Sequence, residues 1–300
     1  MGGSVVAVGT LLVSAPAGQA ATGCVTTGDT TVCTQTGEYQ WTVPQDVTTA
    51  TITVVGAGAG GGGGGGGGGT GDVGGGGGGG GAALIRCVEE VESGWVLKIE
   101  VGGGGQPGMT PADPDQARGE GGKGGHVAPY RDLDGVLRDR ATDGHFGWRP
   151  AGADGNPRPG GGGGGGGEGG SSRVWSDHMN DDIEGRGGEG GGGGSTAGTD
   201  HHGGTGSAGA NVGTGSDPYG RGGDGGSKGI CESPVAGELT VGGDTGSIGG
   251  TTADHGAGGA APKQMPAQCG KAGTGGRGGL LATTPGTAGT DGCIVIVTEK

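Results

Sequence analysis

Few residues in this chain have the types and spacing for chemistry, and they are scattered through 300 residues of which 93 are glycine. Asp200, His201 and His202 offer the nitrogen and carboxylate donors that transition metals take. Adjacent histidines do not share a helical face and nothing beside them orients them, so they read as surface-loop residues. His178 and His255 stand apart from them. Asp177, Asp181, Asp182 and Glu184 carry the hard oxygens that calcium prefers, but the glycine position and ligand spacing of a calcium loop are absent. They read as a solvated acidic loop. Asp132 and Asp134 have the residue types for glycoside cleavage, where two carboxyls flank the bond. Among 31 acidic residues such pairs arise by chance. No G-x-S-x-G, H-E-x-x-H or phosphate-binding lysine motif occurs, and glycine repeats without Lys-Ser/Thr are not a P-loop. The expectation is a non-enzymatic chain with no catalytic residue, cofactor or bound metal.

Phe146, Trp148 and Trp175 are the aromatic outliers in polar surroundings and the candidate recognition residues, since Trp and Tyr dominate binding hot spots. The competing reading is that they plug loop ends against the glycine segments. Six cysteines, all after residue 21, form an even set consistent with three disulfides in an exported chain. The stretch Cys24 to Cys33 is symmetric about Gly28-Asp29, and glycine at the first central position suits a two-residue II′ hairpin. That register sets Cys24 against Cys33 at a disulfide-compatible separation. For the others, Cys87 with Cys293 and Cys231 with Cys269 is the arrangement adopted, without a geometric argument. No C-x2-C spacing points to zinc.

These residues have to be positioned by two kinds of element. The first is a set of short apolar runs: 38–43, 50–55, 82–88, 94–101, 238–241 and 293–298 read as strands. The last, with four consecutive β-branched residues, belongs in the middle of a sheet formed with the N-terminal strands. The second is polyglycine, with 60–69 an unbroken run that continues directly from a strand. A solvated flexible linker is one reading. A bundle of polyproline II-like helices is the other, with three residues per turn, no internal hydrogen bonds, and glycine wherever helices touch. The spacing of the non-glycines favours the bundle: Glu120 and Lys123, Arg186 and Glu189, Arg221, Asp224 and Ser227, and Thr274 and Arg277 are all three apart. Each row would lie on one edge of its helix, leaving two bare faces for neighbours.

Composition sets limits on the rest. Leu, Ile, Val and Phe total 41 of 300 residues, enough for a small conventional core and not for a chain-wide one. A net charge of -14 argues against nucleic acid or an anionic membrane as partner. No internal run approaches the ~20 apolar residues of a membrane span. Residues 1–21 carry an apolar stretch and a small-x-small site and read as a signal peptide, although no Lys or Arg precedes Arg86, which places the natural start upstream. Ala21 is a poor first position for a lipoprotein box, so a lipid anchor at Cys24 is not expected.

The run from Gln40 to Gly58, with Thr42-Val43-Pro44, Val47-Thr48 and Ile52-Thr53-Val54-Val55-Gly56-Ala57-Gly58, resembles the opening of secreted bacterial glycine-rich proteins. Leu97 to Gly105 is similar to their second strand-to-glycine join, and 292–298 to their closing strand. The arrangement is also similar to the glycine-rich extracellular region of anaplastic lymphoma kinase-type receptors and, more loosely, to phage tail adhesins. The resemblance implies polyglycine helices packed on a β-scaffold and carries over no catalytic residue. The expected architecture is all-β: one domain over 22–300, a small, jelly-roll-like antiparallel β-sandwich bearing a polyglycine II bundle, with long irregular loops and an insertion at 106–159. The expected role is a secreted or envelope-associated structural or adhesive scaffold. It would meet a cell-surface polymer, glycan or protein ligand through the 106–159 and 171–184 loops. An ice- or surface-ordering protein is the alternative, and an extracellular carbohydrate-active hydrolase ranks below both.

Overall fold

The computed structural model describes residues 23–65, 76–110, 122–131, 137–141, 143–144, 165–179, 182–194, 206–207, 220–228, 231, 238–249, 256–280 and 284–300. The signal-peptide reading lies outside them. β1 (Cys24–Thr27) and β2 (Thr30–Cys33) pair antiparallel, Cys24 opposite Cys33, leaving Gly28-Asp29 as the turn. Gly28 has φ +64°, as the first central position of a II′ turn demands. β3 (Gly37–Thr42), β4 (Thr49–Val55), β5 (Leu84–Glu90) and β6 (Val96–Val101) are the strands expected around the two glycine joins. β7 (His126–Arg131) and β8 (Leu137–Arg140) form a hairpin of their own. β9 (Ser172–Trp175), β10 (Ile183–Gly185), β11 (Leu239–Val241) and β12 (Cys293–Glu299) complete the set.

One sheet runs β1-β2-β12-β4-β5-β11 and the other β10-β9-β6-β3, with neighbouring strands antiparallel throughout. Alternate residues of the two sheets meet in one core. Ile52, Val54, Ile85, Ile294 and Ile296 face Trp41, Leu97, Ile99, Val101, Val174 and Ile183. A second cluster lies on the outer side of the six-stranded sheet, where Val55, Leu84, Cys293 and Val295 pack against Cys269 and Ala272. β12 therefore buries both faces, which is why its run of β-branched residues does not alternate with polar ones.

The disulfides join Cys24 to Cys33, Cys87 to Cys231 and Cys269 to Cys293. The expected Cys87–Cys293 and Cys231–Cys269 pairs do not form. β4 separates β5 from β12, with Cys87 opposite Ile52 and Cys293 opposite Val55. Two strand spacings of about 4.8 Å already exceed the ~7 Å limit on Cα separation, and the two side chains enter different clusters. Two loop expectations are also revised. Residues 171–184 contain the β9–β10 hairpin, whose Val174 and Ile183 belong to the core. The 106–159 stretch contains the β7–β8 hairpin and glycine segments of the bundle.

The polyglycine is hydrogen-bonded as a lattice. In 56–65, Gly56, Ala59 and Gly62 donate to Ala83, Gly80 and Gly77; Ala57 and Gly60 donate to Gly170 and Gly167; Gly58, Gly61 and Gly64 donate to Thr290, Thr287 and Thr284. Its carbonyls accept from three further segments, represented by Gly188, Gly105 and Gly276. Segment 56–65 thus has six neighbours, visited with a period of three residues. Segment 76–83 likewise bonds to 56–65, 186–192, 220–228, 242–249, 256–260 and 273–279. Among the described residues these two are the interior sites of a hexagonal array. Every face is occupied, so every residue in both is buried. A Cβ at Gly61 would overlap the Arg277 carbonyl, and one at Gly78 the Ala257 carbonyl. In 273–280 one side is free, and Thr274, Arg277 and Leu280 occupy it at every third position while the intervening residues are buried.

Candidate functional site

Among the described residues, the outer face of the four-stranded sheet gathers the most closely grouped charged and aromatic side chains, and the end of the bundle remote from the sandwich is where segments outside the described residues attach. On the sheet, the strand period of two turns Lys98 and Glu100 away from the core that receives Leu97, Ile99 and Val101. Cross-strand register aligns Glu184, Arg173, Glu100 and Glu38 in one row, and Trp175, Lys98 and Gln40 in the next.

The first row is buried at its centre. Arg173 Nε donates to Glu100 Oε2 at 2.6 Å, and Arg173 Nη1 lies 3.8 Å from Asp182 Oδ2. The guanidinium also sits over the Trp175 ring, Cζ 4.3 Å from the centroid, in cation–π contact. Burial pushes the Glu100 carboxyl up to about 7. Arg173 pulls it down, less strongly, and the nearby acids Glu38 and Glu184 add to the rise. The second row is open. Lys98 Nζ donates to Asp177 Oδ1 at 3.1 Å, and Gln40 is exposed. At its rim His178 stacks on Trp95, with ring centroids 4.8 Å apart and planes 18° apart.

Trp175, read as part of a recognition loop, is a strand residue whose indole carries Arg173. Phe146 and Trp148 lie outside the described residues, as do Asp132, Asp134, Asp181, Asp200, His201, His202 and His255. Asp177, Asp182 and Glu184 do not converge: they contact Lys98, Arg173 and Arg186 in turn. Among the described residues no group of three or more His, Cys, Asp or Glu is placed to hold a metal ion, and no helix is long and apolar enough to cross a membrane. The Cys24 sulfur is held in its disulfide with Cys33. The Glu100–Arg173 pair was not anticipated. In Leu97-Lys98-Ile99-Glu100-Val101 a glutamate at an outward position reads as solvent-facing, and only the tertiary structure covers it.

The bundle's far end is defined by where the chain leaves and re-enters it. Segments 56–65, 102–110, 186–194, 242–249 and 273–280 run away from the sandwich, and 76–83, 122–126, 165–171, 220–228, 256–260 and 284–292 run back, as the hydrogen-bond register requires. The connections at 66–75, 111–121, 145–164, 250–255 and 281–283 therefore all attach at that one end, as do both ends of 195–219, which returns to the lattice at Ser207 beside Gly190.

No curated protein matches this chain. The family model of the glycine-rich domain matches residues 33–299. Those limits take in the pairing of β4 with β12 and the whole described lattice, and the chain belongs to the glycine-rich domain family.

Proposed function

We propose that this chain is an exported, non-enzymatic structural or adhesive scaffold: the sandwich is its base, the polyglycine lattice a stiff pedestal, and the segments attached at the far end its recognition elements. The observation that carries this is the common attachment of those connections at one end of the bundle. They include 145–164 with Phe146 and Trp148, and 195–219 with His201 and His202. Three disulfides, with no free cysteine among the described residues, fit an oxidising compartment and hence export. The ice- or surface-ordering reading asks for free threefold rows of small residues. The clearest such row, Thr284, Thr287 and Thr290, spends its hydroxyls on the amides of Leu280, Arg277 and Thr274.

The test is an equilibrium binding screen of the oxidised chain against cell-wall polymers, glycans and surface proteins. It is repeated after replacing 145–164 with a short Gly-Ser link. A ligand bound by the full chain and lost by the replacement supports the reading. Binding that persists unchanged, or a full chain that binds nothing in the screen, argues against recognition at that end.

A further inference from the structure

We propose a second binding site, on the outer face of the four-stranded sheet, for a neutral polysaccharide: Trp175 stacks on a sugar ring, and Lys98, Asp177 and Gln40 hydrogen-bond its hydroxyls. Arg173 and Glu100 are positioning residues that hold the indole. The site is independent of the far-end reading, since it lies on the sandwich.

Glu100 and Arg173 form a buried pair that folding does not call for. Burying two charges costs several kcal/mol per ion after relaxation, and an apolar pair of similar volume serves a core as well or better. Glu100 is fully buried and Arg173 nearly so, on the side of the sheet away from the sandwich core. What the pair does accomplish is to fix the guanidinium, and with it the plane of Trp175, through the 2.6 Å bond to Glu100 and the 4.3 Å stack. The guanidinium covers one face of the half-buried indole, so the sugar takes the opposite face; an aromatic held rigid beside hydrogen-bonding groups is a preorganised platform, because ordering costs are met before the ligand arrives. A pyranose fits such a platform: its axial C–H groups lie on a π face while its equatorial hydroxyls reach polar groups around the ring.

Those groups are at hand. Register places Lys98 beside Trp175 and Gln40 beside Lys98, a row about 10 Å long from two strand spacings. Asp177 is 83% exposed and Lys98 40% exposed, so the ion pair between them faces solvent, where a vicinal diol can accept from one and donate to the other. Thr42 and Val96 continue the open face in the following row. Charge selects the class of polymer. Lys98 and Asp177 cancel locally, while the chain as a whole carries -14 and repels polyanions. In the row of Trp175, Lys98 and Gln40 the one cation is already paired with Asp177, so a neutral glycan is the polymer that this row complements.

Affinity electrophoresis of the oxidised full chain tests this, in gels cast with hydroxyethyl cellulose, laminarin or starch, and with dextran sulfate as the polyanion. At least one neutral polymer should retard the protein. Trp175→Ala should weaken that by about tenfold or more, as for a stacking hot spot. Gln40→Ala and Asp177→Ala, which alter exposed side chains and keep the test valid if Trp175→Ala misfolds, should each weaken it several-fold. Arg173→Lys keeps the charge beside Glu100 but loses the planar stack; it should weaken retardation and shift the tryptophan emission, whereas Gln40→Ala should weaken retardation and leave that emission unchanged. Failure of every neutral polymer to retard the protein overturns the proposal. So does retardation unaffected by Trp175→Ala and Gln40→Ala, equal retardation by dextran sulfate, or retardation lost only when 145–164 is replaced.

Discussion

Between neighbouring lattice helices a side-chain oxygen completes an exchange the backbone makes in one direction: the amides of Thr287, Thr290 and Ser247 donate to the Arg277, Thr274 and Ala257 carbonyls, and their hydroxyls accept in return. Thr284, Thr287 and Thr290 accept from the backbone amides of Leu280, Arg277 and Thr274 at 2.6, 2.7 and 2.8 Å. Ser247 does the same for Ala257, Ser207 for Gly190 and Asp291 for Gly104. Thr287→Val keeps the shape and removes the acceptor, so it should cost about 1 kcal/mol in a denaturant titration, the net worth of one hydrogen bond. Glu100 makes a prediction of another kind. Its carboxyl is raised from 4.5 to about 7 in the folded protein, first by burial. The folded state therefore holds the proton more tightly than the unfolded one, and stability falls as pH rises from about 4.5 to 7, then levels. Relative to Glu100→Gln, the wild type should lose about 3 kcal/mol over that window, from a shift of about 2.5 units at 1.36 kcal/mol each. Melting both proteins at matched pH values measures this, and parallel pH profiles would refute it.

The polyglycine segment is an element whose sequence reports its place in the array. A segment enclosed on six sides, such as 76–81, is glycine throughout; one with a free edge, such as 221–227, shows Arg221, Asp224 and Ser227 at every third position. Gly61→Ala should therefore destabilise by about 3 kcal/mol or more, at the high end for overpacking, because the carbonyl it meets is fixed by the lattice. At Gly242 the nearest atoms to an added Cβ are Lys228 Cγ at 3.5 Å and the Gly226 oxygen at 3.6 Å, and Ala there should be neutral within about 0.5 kcal/mol. Calorimetry of the two variants side by side is the comparison. Threefold spacing made the bundle legible from sequence, as alternation made β3, β4 and β6 legible. The β9–β10 hairpin was not, because its strands have four and three residues and sit among acidic ones. Nor were two of the disulfides, which depend on β4 lying between β5 and β12, a fact of topology without a local signal. Their loop lengths also differ in consequence. Removing Cys87–Cys231, which spans 144 residues, should cost about 5 kcal/mol on the chain-entropy model, against about 2.5 for Cys24–Cys33, which spans 9.

For the whole molecule, two kinds of interior share the load: a conventional apolar core in the sandwich and a backbone-bonded lattice without one. Amide hydrogen exchange separates them from flexible-spacer behaviour. The amides of 56–62 and 76–81 should exchange as slowly as those of β4 and β12, since both sets open only with the whole fold. Exchange at the rate of an unfolded peptide would dissolve the pedestal and with it the proposed scaffold. The register of β12 also has a consequence in time. β12 lies between β2 and β4, and Thr290 and Thr287 bond the first glycine segment at Gly58 and Gly61. Neither the six-stranded sheet nor the ring around 56–65 can close until synthesis has run more than two hundred residues past β4, to Glu299. Until then the nascent chain has no finished core to resist being threaded through a narrow channel, and the strand that completes the fold arrives as the event that ends its freedom to be moved.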